Sequence, residues 1–243
     1  KSNMFGANLS DVNYALNYKS KEEQTTSLSF AFRDTSFRPL KEFPIVREAA
    51  GLFSSFDRRL AISFKQGKLH IPKFHAVDIT GSEFIIPTTR IKPSPANLRL
   101  VGKGQLKAVM SLLDSPPISI FKGRKQIFTS ADGAVEFKAH MDFPLKKKLT
   151  LEEIAFFANG KIKKFTVPNF NGLKGVSGNE VDFELNSKAL TLHGAINALD
   201  TKFSSKIVYD IVSEKILMAI NDNDHLIKSG SSIFFKNYAV LLL

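Results

Sequence analysis

Apolar side chains recur at every second position through most of this chain, the period that places alternate residues on one face of a strand. Val12, Tyr14, Leu16 and Tyr18 alternate with Asn13, Ala15 and Asn17, and beyond Lys19–Glu23 the pattern resumes at Leu28, Phe30 and Phe32. That arrangement predicts a hairpin. Leu60, Ile62 and Phe64 lead through Gln66-Gly67 into Leu69 and Ile71, a second predicted hairpin whose glycine is free to take a positive-φ turn position. Further strands are predicted over Phe84–Ile91, Leu98–Val101, Ala134–Phe143, Glu153–Ala158 and Lys161–Val167. Val181–Leu185, Leu190–Ile196, Phe203–Ile211, Ile216–Ile220 and Ile233–Val240 complete the set. Helical spacing is confined to two short places. Leu106, Val109, Met110 and Leu113 predict a helix over Leu106–Asp114 that Pro116-Pro117 stops. A second short helix is predicted from Pro44, in the first turn that tolerates proline, to about Ala50 before Gly51. The expected class is mainly β with one or two short helices.

The strand pattern repeats. From Gly67 the chain reads GKLHIPKF, DITGSEFIIP and NLRLVGKGQL; from Gly160 it reads GKIKKFTVPNF, LKGVSGNEVDFEL and ALTLHGAINAL, 93 residues further on. Each copy holds a glycine turn, a strand ending near proline, a second glycine turn, a strand, and a Leu-x-Leu-x-Gly strand. One β-meander is therefore expected twice, at approximately 60–117 and 134–211. Such repetition favours an elongated antiparallel sheet that grows by adding strands over a closed barrel. The chain opens at Lys1 without an initiator methionine and stops on the apolar run Ala239–Leu243. It is accordingly read as a single β-rich segment, 1–243, of a longer polypeptide.

Composition removes several chemistries. With 43% hydrophobic residues in 243, the chain has the means to bury a core and is no disordered tail. The absence of cysteine excludes zinc ribbons, iron–sulfur clusters, thiol nucleophiles and disulfide frameworks. No apolar run approaches the ~18 residues of a membrane-spanning helix. His70, His75, His140, His193 and His225 are scattered, and His70 and His75 are expected on opposite strand faces, so no metal or other cofactor is expected. Gly102-Lys103-Gly104 lacks the Lys-Ser/Thr ending of a phosphate loop. Glu152 and Glu153, adjacent in a strand, would face opposite ways, while Asp222 and Asp224 lack partners and Ser229–Ser232 reads as a turn without a neighbouring base. Catalysis is not expected.

Charge adds one feature. Thirty-four Lys and Arg against 23 Asp and Glu leave a net +11, spread along the chain with Lys dominating over Arg, and with local clusters at Lys146-Lys147-Lys148 and at Lys161, Lys163 and Lys164. Tyrosine is scarce, tryptophan absent, and most of the 22 phenylalanines sit at alternating positions expected to be buried, so nucleic acid is a poor fit as partner. Lysines that discourage sheet-to-sheet pairing, or that meet anionic phospholipid head groups, suit the pattern better.

The run Gly67–Pro117 and, more closely, the run Met141–Asp210 resemble the YhdP-type central region of the AsmA/TamB-like superfamily. Pro144-Leu145, Leu149-Thr150-Leu151, Gly160, Pro168, Leu190 and Gly194 fall on its patterned positions. Asn197-Ala198-Leu199-Asp200 departs from the small-Pro-Ala element usual there. The resemblance implies a curved antiparallel sheet forming an open, taco-like groove, in a bridge-like phospholipid carrier of the bacterial periplasm. An inner-membrane anchor outside this chain, the inner and outer membranes, and other envelope proteins are the implied surroundings. On that reading Ile85, Leu98, Leu100, Val135, Phe137, Val181, Phe183, Leu185, Leu190, Leu192 and Ile196 line an acyl-chain groove, with the 106–113 helix plugging or capping the sheet. Replacing Phe183 or Leu192 by Arg or Glu is then expected to block lipid passage while leaving the fold mostly intact. The alternative is an envelope scaffold or interaction module with a closed β core, pairing with partners by strand addition.

Overall fold

The computed structural model describes residues 6–18, 24–38, 44–115, 118–120, 130–170, 173–198, 201–212, 216–221, 233–235 and 238–242. The protein is mainly β, with a single large antiparallel sheet and one α-helix among the described residues. Two compact units divide the chain. The first takes in Lys1–Lys103, Ser115–Ile118 and Lys138–Phe156, the second Gly104–Asp114, Ser119–Phe137 and Phe157–Leu243.

In the first unit the strands are β1 (Asn8–Tyr18), β2 (Gln24–Phe37), β3 (Ile45–Phe56), β4 (Arg59–His70), β5 (Val77–Asp78), β6 (Glu83–Ile86) and β7 (Ser94–Gln105). They pair in the order β1-β2-β3-β4-β5-β7, and β6 also bridges β4 and β7. The β1–β2 hairpin is the one the alternation predicts. Register carries one apolar row across five strands: Phe30 opposes Phe53, Phe53 opposes Ile62, Ile62 opposes Phe84, and Phe84 opposes Leu98. Directly opposed residues share a face, so these side chains stand on one side. The Phe30 and Phe53 rings stack at 4.7 Å between centroids. The opposite face of the same strands is mixed, with Ser29 opposite Ser54 and the exposed Leu52 and Phe56 on the same side.

Two expectations fail in this unit. Residues 45–50 belong to strand β3, not to a helix from Pro44. Arg47-Glu48-Ala49-Ala50 favour a helix locally, but such propensity is worth only tenths of a kcal/mol per residue. Hydrogen-bonded partners on both sides of β3 outweigh it, and Ile45 and Val46 are β-branched. Glu48, at φ 52°, lies at a register shift that turns Ala49 wholly into the interior. The second correction concerns Gly67, which makes no turn. β4 runs straight through it. A Cβ there would lie 3.2 Å from the Ile79 side chain, so glycine admits a close neighbour instead. The strand expected over Phe84–Ile91 ends at Ile86, and Gly102-Lys103-Gly104 lies within β7.

The second unit holds the helix α1 (Leu106–Leu113), residues 132–137 of β8 (Asp132–Leu145), residues 157–170 of β9 (Ala155–Phe170), β10 (Leu173–Asn186), β11 (Ala189–Ala198) and β12 (Thr201–Asp210). β13 (Ile216–Asn221), β14 (Ile233–Phe235) and β15 (Tyr238–Leu242) extend the order as β12-β13-β15-β14. Ile233–Val240, expected as one strand, is thus divided between two strands that pair with each other. The strands expected over Glu153–Ala158 and Lys161–Val167 are a single β9 that passes through Gly160 without turning. Glu152 and Glu153 lie in a 3-10 turn, Leu151–Glu153, whose capping box joins Thr150 and Glu153. Asp222, Asp224, His225 and Ser229–Ser232 lie outside the described residues.

Candidate functional site

The second unit gathers apolar side chains on one face of its strands and lays α1 over them. Phe183 opposes Gly160 on β9 and Leu192 on β11, and Leu192 opposes Ile207. One step along, Leu185 opposes Ala158 and Leu190, and Leu190 opposes Tyr209. Val181 opposes Ile162 and Gly194. Alternation puts Val135 with Phe137, and Leu192 with Ile196, on their strands' same faces. Over this floor α1 turns Leu106, Val109, Met110 and Leu113. Its 3.6-residue period makes those four positions one stripe.

Between floor and helix lies a partly open cavity of about 60 Å³. Ala131, Val135, Ile162, Phe165, Val167, Phe183, Leu185, Leu190 and Leu192 form its wall below the four helix residues. Every lining side chain is hydrocarbon or thioether, so the space offers no hydrogen-bonding side chain to water or to a polar substrate. Such a space suits a short aliphatic stretch and provides no acid, base or nucleophile.

The opposite face is ionic. Lys161 reaches Glu180 at 2.5 Å and Asp182 at 3.8 Å, and Lys163 reaches Glu136 at 3.2 Å. Hydrogen bonding to Glu180, with its charge, holds the Lys161 amine above its ordinary range, and the same contact holds the Glu180 carboxyl below its own. These groups are solvated, so they order the outer surface more than they stabilise the fold.

A further ion pair tethers the helix. Lys107 of α1 donates to Asp132, at the start of β8, at 3.0 Å. That hydrogen bond and one from the Gly133 amide outweigh desolvation and hold the Asp132 carboxyl below its usual value. A lowered carboxylate pKa stabilises the folded state above the unfolded pKa, and the benefit disappears as pH falls through the folded one. Asp132→Asn is therefore expected to lower the thermal midpoint slightly at pH 7 and not in strong acid. Paired melting curves at the two pH values check this.

The predicted groove residues divide between the units. Val135, Phe183, Leu185, Leu190 and Leu192 line the cavity. Phe137, Val181 and Ile196 share its face but are buried beside it. Leu98 and Leu100 stand in the first unit, half-buried, on the face of the Phe30–Phe53 row. Ile85 does not join them. It opposes Asn97 and Ala61, on the face away from Phe84 and Leu98. Ile162, Phe165 and Val167 also line the cavity, but only Phe165 and Val167 keep the period of two within the expected strand Lys161–Val167. Ile162 and Phe165, three residues apart, both turn inward, with Lys164 at φ 52° between them.

Among the described residues no helix is long and apolar enough to cross a membrane, and no three His, Asp or Glu side chains converge as a metal site. Comparison with protein-family models, with curated proteins and with solved structures finds no match to this chain.

Proposed function

We propose that this chain is a non-enzymatic lipid-transport segment whose apolar strand face shelters phospholipid acyl chains, working in the periplasm between inner and outer membrane. The observation that carries the reading is the cavity between α1 and the strands, lined wholly by apolar side chains. The half-buried Phe30–Leu98 row of the first unit supports it with apolar surface of the same kind. Retention of an acyl chain needs only exclusion from water, at about 0.8 kcal/mol per sheltered methylene, and no hydrogen-bond readout. An inner-membrane anchor would lie outside this chain.

A closed-core scaffold is the second reading, and one observation favours it. Val135, Val181 and Ile196, on the cavity's face of their strands, are almost wholly buried.

The two readings part at Met110. Its half-buried side chain lines the cavity from the helix side, and tryptophan there would occupy space an acyl chain needs. Excluding two methylenes weakens binding roughly tenfold. Purified protein is expected to carry phospholipid in native mass spectrometry and to bind a fluorescent fatty acid. Met110→Trp should cut that binding roughly tenfold with little change in thermal midpoint. Lipid-free protein that ignores the probe would establish the closed core.

A further inference from the structure

We infer that two turns at one end of the first unit form a docking surface for an anionic lipid bilayer. β3 and β4 are joined by Asp57-Arg58, and β6 and β7 by residues 87–93. Leu60 opposes Ile86, so the two connections leave the sheet side by side. The Thr89 amide donates to the Arg58 carbonyl at 2.9 Å, and the Arg90 guanidinium donates to Asp57 at 3.2 Å. These bonds make the turns one platform.

The platform carries Arg58, Arg59, Arg90 and Lys92, all exposed, against Asp57 as the one carboxylate within the two turns. Phe56 and Ile91, 66% and 59% exposed, stand among these cations. Cations alone would suit any polyanion. Large apolar side chains held in water beside them fit a partner that offers phosphate at its surface and hydrocarbon just below it. A nucleic acid satisfies the arginines and can stack on Phe56, yet leaves Ile91 without an apolar environment. The inference concerns attachment, and it holds whether the cavity of the second unit admits acyl chains or is closed.

Vesicle flotation of the whole chain tests it, using phosphatidylcholine alone and phosphatidylcholine mixed with phosphatidylglycerol. Binding to the mixed vesicles and not to the neutral ones is expected. Each cation near an anionic surface contributes about fivefold in partitioning, so Arg58→Ser, Arg59→Ser and Lys92→Ser together should weaken binding roughly tenfold or more while sparing the Arg90–Asp57 pair. Phe56→Ser with Ile91→Ser should weaken it several-fold and remove the part that survives high salt. Lys138→Ser, Lys147→Ser and Lys148→Ser, a charge-matched control elsewhere, should leave most binding in place. Circular dichroism melts of each variant establish that the fold is kept. Equal loss in the control, no binding by the parent chain, or tighter binding to an oligonucleotide that is indifferent to Phe56 and Ile91 would each overturn the inference.

Discussion

Alanine at Gly160 is expected to cost the second unit about 3 kcal/mol, at the upper end of what overpacking one carbon usually does. The added Cβ would overlap the Glu136 carbonyl oxygen and come within 2.8 Å of the Phe137 Cα, both backbone atoms of β8. Backbone cannot swing aside as a side-chain tip can, so β8 and β9 must separate along the edge of the cavity floor. For a chain of this size the thermal midpoint should fall by about 6–12 °C. Gly67→Ala is the matched comparison, because Gly67 opens the first sequence copy as Gly160 opens the second. There the nearest atom is a flexible Ile79 carbon at 3.2 Å, and a small loss is expected. Equal melting losses at the two sites would show that strand spacing at Gly160 is not what the glycine protects.

Phe183→Arg is expected to prevent the second unit from folding stably. An open groove face would give a blocked passage with the fold mostly intact. Phe183 instead is 9% exposed, opposed by Gly160 and Leu192, and it lines the cavity beneath α1. Losing a buried phenylalanine side chain alone costs about 3–5 kcal/mol. A guanidinium placed there adds desolvation with no carboxylate among the lining residues to pair with. The sum approaches the whole stability of an ordinary domain. Leu192→Arg, at a half-buried position, should be milder, since a long side chain can carry its charge toward solvent. Urea denaturation monitored by circular dichroism ranks the two, and a Phe183→Arg chain as stable as Leu192→Arg would mean that α1 does not cover this part of the strands.

Alternation was a good guide wherever a strand has one buried face and no interruption. β8, β11 and β12 and the α1 stripe were legible for that reason, and so were the five cavity residues Val135, Phe183, Leu185, Leu190 and Leu192; the β1–β2 hairpin was legible from alternation alone, since β1 is exposed along its length. What failed has a common cause in contacts between strands distant in sequence. Glycines at 67 and 160 look like turns until neighbouring strands show that they are places of close approach. Arg47–Ala50 looks helical until β2 and β4 bracket it. Ile85 looks interchangeable with Phe84, and only pairing with Asn97 reveals which face it takes. A period of two shows that two faces exist without saying which one a neighbour will cover.

The positive-φ residues of the outer strands bear on how this molecule behaves in a crowd. Asp11, Asp34 and Glu48 take φ of 53°, 53° and 52° at register shifts in β1, β2 and β3. β1 is an outermost strand of its unit, exposed along its whole length, with Leu9, Val12, Tyr14, Leu16 and Tyr18 as its apolar side chains. A straight strand of that composition would be a template for indefinite stacking of chains. The kink at Asp11 breaks it into a short piece and a longer one, Val12–Tyr18, that no single flat partner can zip across together. Concentrated protein should therefore resist fibre growth from this edge, and a deletion of Asp11 that straightened β1 would turn the same grease into a seed.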